Sequence, residues 1–122
     1  MAENVEYKVG DHDTRPWGEW LVLDTGEHHI VKRITVNPGA RLSLQYHNFR
    51  KERWTAVAGE GLAEIDGVKH PLGLGGSVEV PLKAHHRASN PGKEPFVFIE
   101  VQYGDKLSED DIVRVEDDYN RP

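Results

Sequence analysis

The sequence predicts an all-β fold, a barrel or sandwich of short strands. Three observations carry that expectation. Twelve glycines and seven prolines punctuate 122 residues. The apolar runs between these breakers are short and regularly spaced. Helical periodicity of useful length is absent before residue 106.

The elements follow in order. A first strand spans Glu19–Asp24 and stops at Asp24-Thr25-Gly26. His29–Val36 is the second, closed by Asn37-Pro38-Gly39. Arg41–His47 is the third, and Asn48–Lys51 turns it back into Glu52–Ala58. Ala58-Gly59-Glu60-Gly61 leads into Gly61–Ile65, and Asp66-Gly67 joins that strand to Val68–Leu72. Asp-Gly suits a type I′ turn, so this is the clearest hairpin. Gly73-Leu74-Gly75-Gly76 precedes Ser77–Val80, His85–Ser89 follows, and Asn90-Pro91-Gly92 precedes the last long strand, Phe96–Tyr103.

A chain of this length fits one domain over 1–122, with residues 1–13 as a polar N-terminal extension and 105–122 as an acidic C-terminal tail. The tail holds seven acidic and three basic residues, so it carries most of the net charge of −6. Ser108 is placed to cap a single helical turn there. One reading makes the tail a solvated end; the other docks it through Ile112, Val113 and Val115. Lys and Arg are too few and too scattered for a general nucleic-acid role. With no cysteine, disulfides, thiolate metal sites and Cys nucleophiles are excluded. No apolar run reaches a membrane span and no signal-peptide core opens the chain, so a cytoplasmic location without membrane contact is expected.

Seven histidines occupy positions 12, 28, 29, 47, 70, 85 and 86, and position must select among them. Side chains two apart on a strand share a face, so Gln45 and His47 point the same way. With Ser43 and Gln45 inward, Leu42, Leu44 and Tyr46 cover the other face. The return strand brings Glu52 beside His47. A second histidine from a later strand completes a mixed nitrogen and oxygen site for a divalent transition ion. Zinc is the first expectation, with Mn, Fe, Co or Ni as alternatives.

These residues resemble the two motifs of the cupins. Gly39, Gln45, His47, Glu52 and Gly59 match the spacing of G-x5-H-x-H-x3-4-E-x6-G, with Gln45 in place of the first histidine. Gly75, Pro81, Lys83, His86 and Asn90 match G-x5-P-x-G-x2-H-x3-N, with Lys83 in place of the glycine. The resemblance implies a single cupin barrel of jelly-roll type, a double-stranded β-helix. It implies Gln45, His47, Glu52 and His86 as metal ligands, and a homodimer.

Across roughly residues 14–121 the chain resembles, more narrowly, the C-terminal cupin domain of type II phosphomannose isomerases. That domain is usually fused behind a mannose-1-phosphate guanylyltransferase. The matching pieces include Arg15-Pro16-Trp17-Gly18, the run Pro38–His47, Arg50-Lys51-Glu52-Arg53-Trp54, Ile99-Glu100-Val101-Gln102 and the run Glu109–Arg114. Phe49 and Arg53 stand where the family usually has histidine. The resemblance implies interconversion of mannose 6-phosphate and fructose 6-phosphate, which moves a proton between C1 and C2. The alternative is a cupin, non-catalytic or with other chemistry, that binds a metal and a small sugar or acidic ligand. The Gly-rich loop of a nucleotidyltransferase is absent from the sequence, so guanylyl transfer is not expected.

The remaining candidates follow from parity and charge. Lys32 on a core-facing strand is a candidate for proton transfer, with a rim position as its plainer reading. Arg50, in the metal segment, is the second catalytic candidate. Arg41 and Arg53 are candidates for a sugar phosphate, because planar guanidinium suits phosphate. Glu100 and Gln102 share one face of an apolar strand, which marks that face as a pocket lining. Trp54 shares parity with Glu52, as core or as a pocket wall. His12, His28, His29, His70 and His85 are taken as surface residues.

Overall fold

A computed structural model describes residues 7–108 and 110–119. Eleven strands are present among them and no helix: β1 His12–Arg15, β2 Gly18–Thr25, β3 His29–Val36, β4 Leu44–Tyr46, β5 Lys51–Ala58, β6 Gly61–Ile65, β7 Val68–Leu72, β8 Ser77–Val80, β9 His86–Ser89, β10 Phe96–Tyr103 and β11 Val113–Glu116. They form two sheets, β1-β2-β3-β10-β5-β8 and β11-β4-β9-β6-β7, and every strand pairing is antiparallel. Among the described residues no helix is long and apolar enough to cross a membrane.

Turn chemistry fixes the hairpins. Asp66 and Gly67 have φ of 48° and 83°, the doubly positive pattern of a type I′ turn. Ile65 and Val68 close it as partners. Asn90 is a structural residue of the second motif. Its amide donates to the carbonyls of Val36 and Glu94, and its Oδ1 accepts from Gly92. Gly61 is required by close approach, since a Cβ there would lie 2.2 Å from the Phe96 ring.

The interior has an apolar end and a polar end, and the division is written along single strands. On β10 the buried side chains are Phe96, Phe98, Glu100 and Gln102 in sequence; on β5 they are Glu52, Trp54 and Ala56. Phe96, Phe98, Trp54, Val36 and Ala56 pack together as the core. Burying each of the large side chains is worth about 1.5–3 kcal/mol. Register then aligns the polar rows. Lys32, Glu100 and Trp54 lie side by side across β3, β10 and β5, and Gln102 stands beside Glu52.

Three local expectations are corrected. The strand expected over Arg41–His47 is regular only at Leu44–Tyr46, with Arg41 held in an isolated bridge to Ser89. Ser43 is buried as expected, but Leu42 also packs against the core, because strict alternation does not extend through this irregular stretch. β1 and β11 arise in segments too polar to read as strands. β1 is the edge strand paired with β2, and β11 the edge strand paired with β4. The expected helical turn at Ser108 includes Glu109, which lies outside the described residues. Beside it, Asp111 N–H donates to the Ser108 carbonyl at 3.1 Å in a simple turn.

Candidate metal centre

His47, Glu52 and His86 come from the end of β4, from β5 and from β9, and each is 1–2% exposed. Their ligand atoms all lie within 4.8 Å of one another. His47 Nε2 is 3.1 Å from Glu52 Oε2, and His86 Nε2 is 3.7 Å from Glu52 Oε1. Backbone carbonyls set both tautomers. His47 Nδ1–H donates to the Asp111 carbonyl, and His86 Nδ1–H donates to the Ala84 carbonyl at 2.9 Å. Each ring therefore presents its Nε2 lone pair to the same carboxylate. Gln45 joins them by register, since it lies directly opposite His86 across β4 and β9 and paired residues share a face.

The carboxylate is otherwise well satisfied. Trp54 Nε1–H donates to Glu52 Oε1 at 2.9 Å, and Arg50 Nε–H donates to Oε2 at 2.9 Å. Burial pushes the Glu52 carboxyl toward its neutral form. The guanidinium charge of Arg50, first among the opposing influences, overcomes that and holds it well below the usual carboxylate range. Burial pushes the His86 pKa down, so this imidazole favours its neutral, ligating form. Two neutral imidazoles, one carboxylate and one amide oxygen suit a divalent ion of zinc type and would leave it with net positive charge. Such an ion would supply Lewis acidity and an anchor for anionic oxygens.

Beside this cluster lies a cleft of about 460 Å³, within the usual ~300–1,000 Å³ of small-molecule sites. Its cationic lining is Arg15, Lys32, Arg50 and Arg114; its acidic lining is Glu100 and Asp110, and Gln45, Ser43 and Gln102 supply neutral polar groups. Lys32 Nζ sits 4.0 Å from the Tyr7 ring centre and 4.7 Å from that of Trp20, a cation–π cradle. Glu100 is pushed up to about 8, first by burial and then by the charge of Glu52. Gln102 Nε2–H donates to Glu100 Oε2 at 2.7 Å.

The candidates therefore divide. Gln45, Lys32, Arg50, Glu100 and Gln102 line the cleft, and His47, Glu52 and His86 gather beside it. Arg41 and Arg53 do not line it. Arg41 makes a bidentate pair with Asp118 at 2.7 and 2.9 Å. Arg53 has the opposite parity to Glu52 and Trp54, so it faces outward and pairs with Glu79 at 3.0 Å. Trp54 is core rather than cleft wall.

The sequence reading missed Arg15, Arg114 and Asp111. Arg114 lies opposite Gln45 on β11, which places Arg114, Gln45 and His86 in one row. Asp111 accepts from the backbone N–H groups of Asn48 and Phe49 at 2.8 and 3.0 Å. The signal for all three was the matching of Arg15-Pro16-Trp17-Gly18 and Glu109–Arg114 to the narrower family pattern.

An antiparallel double-sheeted barrel with a His, Glu, His cluster at its polar end defines a cupin. Solved structures agree on the fold. A double-stranded β-helix protein from Klebsiella pneumoniae superposes with TM-score 0.70 at 22% identity, covering 94% of this chain and 93% of that one. The cupin domain of Schizosaccharomyces pombe Cnp3 gives TM-score 0.68 at 15% identity over 71% of this chain and 64% of that one. The chain belongs to the family described as mannose-6-phosphate isomerase C-terminal, whose model matches residues 2–117.

Among its relatives is mannose-1-phosphate guanylyltransferase ManC of Salmonella typhimurium, 50% identical over 88% of this chain and 22% of the relative. The mannose-1-phosphate guanylyltransferase of Escherichia coli K12 is 47% identical over 95% of this chain and 24% of its own length. The alginate biosynthesis protein AlgA of Pseudomonas aeruginosa is 48% identical over 88% and 22%. The chain thus spans less than a quarter of each of these three relatives. They overturn one expectation. The mannose 6-phosphate to fructose 6-phosphate isomerase reading gives way, because these relatives are named for guanylyl transfer or for alginate biosynthesis.

Proposed function

We propose that this chain is a metal-holding cupin domain serving mannose-1-phosphate guanylyl transfer, and that its cleft binds mannose 1-phosphate. One observation carries the reading: three buried ligand atoms converge beside a polar cleft that also receives Arg15, Lys32, Arg50 and Arg114. A sugar phosphate needs a cation for its oxygens and donors held for its phosphate, and both occur here. Arg15 enters from the end of β1, Arg114 from β11, and Lys32 from β3, so the donors come from three strands. Gln45, Glu100 and Gln102 offer hydrogen bonds to hydroxyls. The cleft sets four cations against two carboxyl groups, Glu100 and Asp110, and such a local positive excess attracts anions. The names of the relatives, at 47–50% identity, supply the identity of the sugar phosphate.

Calorimetric titration of metal-loaded protein with mannose 1-phosphate tests this. Saturable one-to-one binding is expected. Arg114→Ala should weaken it about tenfold, ~1.4 kcal/mol, and Arg53→Ala should leave it unchanged. The proposal fails if millimolar mannose 1-phosphate produces no saturable heat.

A further inference from the structure

Arg50 lies just before β5 and reaches into the metal centre. Its Nη2 donates to His47 Nε2 at 3.1 Å and pairs with Glu52 Oε2 at 2.9 Å, and its Nε–H donates to that same oxygen. Its side chain is 10% exposed and also lines the cleft. These are the atoms that a divalent ion bound by His47 and Glu52 would need. The Nε2 of a neutral imidazole has one lone pair, and in His47 the Nδ1–H is already committed to the Asp111 carbonyl. One lone pair cannot accept from a guanidinium and ligate a metal together.

We propose that Arg50 and the metal ion compete for His47 and Glu52, so that metal binding turns the Arg50 guanidinium into the cleft and thereby strengthens phosphate binding there. This rests on the metal reading above and extends it to coupling between two ligands. Burial of the guanidinium beside the cluster leaves the cleft as its open direction. Arg15, Lys32 and Arg114 already border that space, and a further cation entering it favours an anionic occupant. Linkage is reciprocal: if metal tightens phosphate binding by some factor, phosphate tightens metal binding by the same factor.

The test uses chelator-treated full-length chain titrated with Ni²⁺, then with mannose 1-phosphate in the presence and absence of Ni²⁺. Arg50→Met should bind Ni²⁺ about tenfold more tightly than wild type, since its competitor is gone. Arg50→Gln keeps an N–H donor without the charge and should show a smaller gain, which covers the case in which Arg50→Met does not fold. Wild type should bind mannose 1-phosphate at least about fivefold more tightly when loaded with Ni²⁺, and Arg50→Met should lose most of that gain. Equal Ni²⁺ affinities in wild type and both variants would overturn the competition while leaving the metal centre standing. A gain that survives intact in Arg50→Met would overturn the delivery of the guanidinium, because it would come from the metal alone. Absence of Ni²⁺ binding in wild type and variants alike would instead overturn the metal centre itself.

Discussion

The backbone carbonyl of Asp111 accepts the Nδ1–H of His47, across 64 residues of sequence. The acidic tail thereby sets the tautomer of a residue in the first cupin motif. The same residue's carboxylate accepts from the N–H groups of Asn48 and Phe49, so one aspartate ties three successive residues, His47 to Phe49, of the loop that follows β4.

Removing that tie should weaken metal binding without touching a ligand. Partners that orient a ligating histidine are typically worth 10–100-fold in metal affinity. Asp111→Ala keeps the backbone carbonyl that orients His47 and removes only the carboxylate that accepts from Asn48 and Phe49, so it should lose Zn²⁺ affinity at the low end of that range, about tenfold, by competition with a chelator of known strength. Asp111→Asn retains one acceptor oxygen and should lose less. Equal affinity in all three proteins would show that the β4 loop is held by other contacts.

Much of this was legible in the sequence, and the limits have physical causes. His47, Glu52 and His86 were readable because motif spacing and strand parity act together. Arg53 was misplaced because its charge was weighed over its parity, although one step along β5 from Glu52 reverses the face. Arg41 was misplaced because its partner Asp118 is far away in sequence. β11 was illegible as a strand. Val113-Arg114-Val115-Glu116 alternates, but it sits in an acidic run, and an edge strand needs no strong apolar signal. Nothing local in the sequence announces that Arg50 would bridge His47 and Glu52.

His47 and His85 should respond in opposite ways to replacement. His85 is exposed and stacks on Tyr46 at 5.0 Å, away from the cluster. His47→Ala should abolish binding of one divalent ion per chain, and His85→Ala should leave it nearly intact. Binding should weaken as pH falls, but later than for a free imidazole, because burial depresses the His86 pKa below 6.5. Metal content by mass spectrometry after dialysis at graded pH checks both. Comparable losses from the two replacements would mean that the wrong member of the His85-His86 pair has been chosen.

Lys83 has φ of 64°, and it stands where the second motif of the resembled family has glycine. A side chain in the left-handed region costs roughly 1–2 kcal/mol, and glycine avoids that at some cost in unfolded-chain entropy. Lys83 is exposed, and its backbone N–H donates to the His47 carbonyl at 2.8 Å, a bond that glycine keeps. Lys83→Gly should stabilise the fold by about 1 kcal/mol, a rise in Tm of roughly 4 °C. A fall in Tm on thermal denaturation would show that the side chain contributes more than its backbone strain removes.

Glu100 should make the protein less stable in alkaline solution. Burial and the neighbouring Glu52 raise its folded pKa from 4.5 to about 8. Between those values the folded chain holds a proton that the unfolded chain has released. The unfolded state then binds fewer protons, so stability falls as pH rises through that window. His86 works in the other direction and at lower pH. Its folded pKa lies below 6.5, so its contribution is lost as pH falls below 6.5. Between pH 7 and 8 the Glu100 effect therefore stands largely alone, at about 1 kcal/mol per pH unit. Glu100→Gln keeps an oxygen to accept from Gln102 Nε2–H and has no proton to lose. In chelator, wild type should lose Tm between pH 7 and 9 while Glu100→Gln loses clearly less. Parallel Tm curves for the two proteins would show that Glu100 is already ionised at neutral pH, with Lys32 and Arg50 supplying enough positive charge to hold it so.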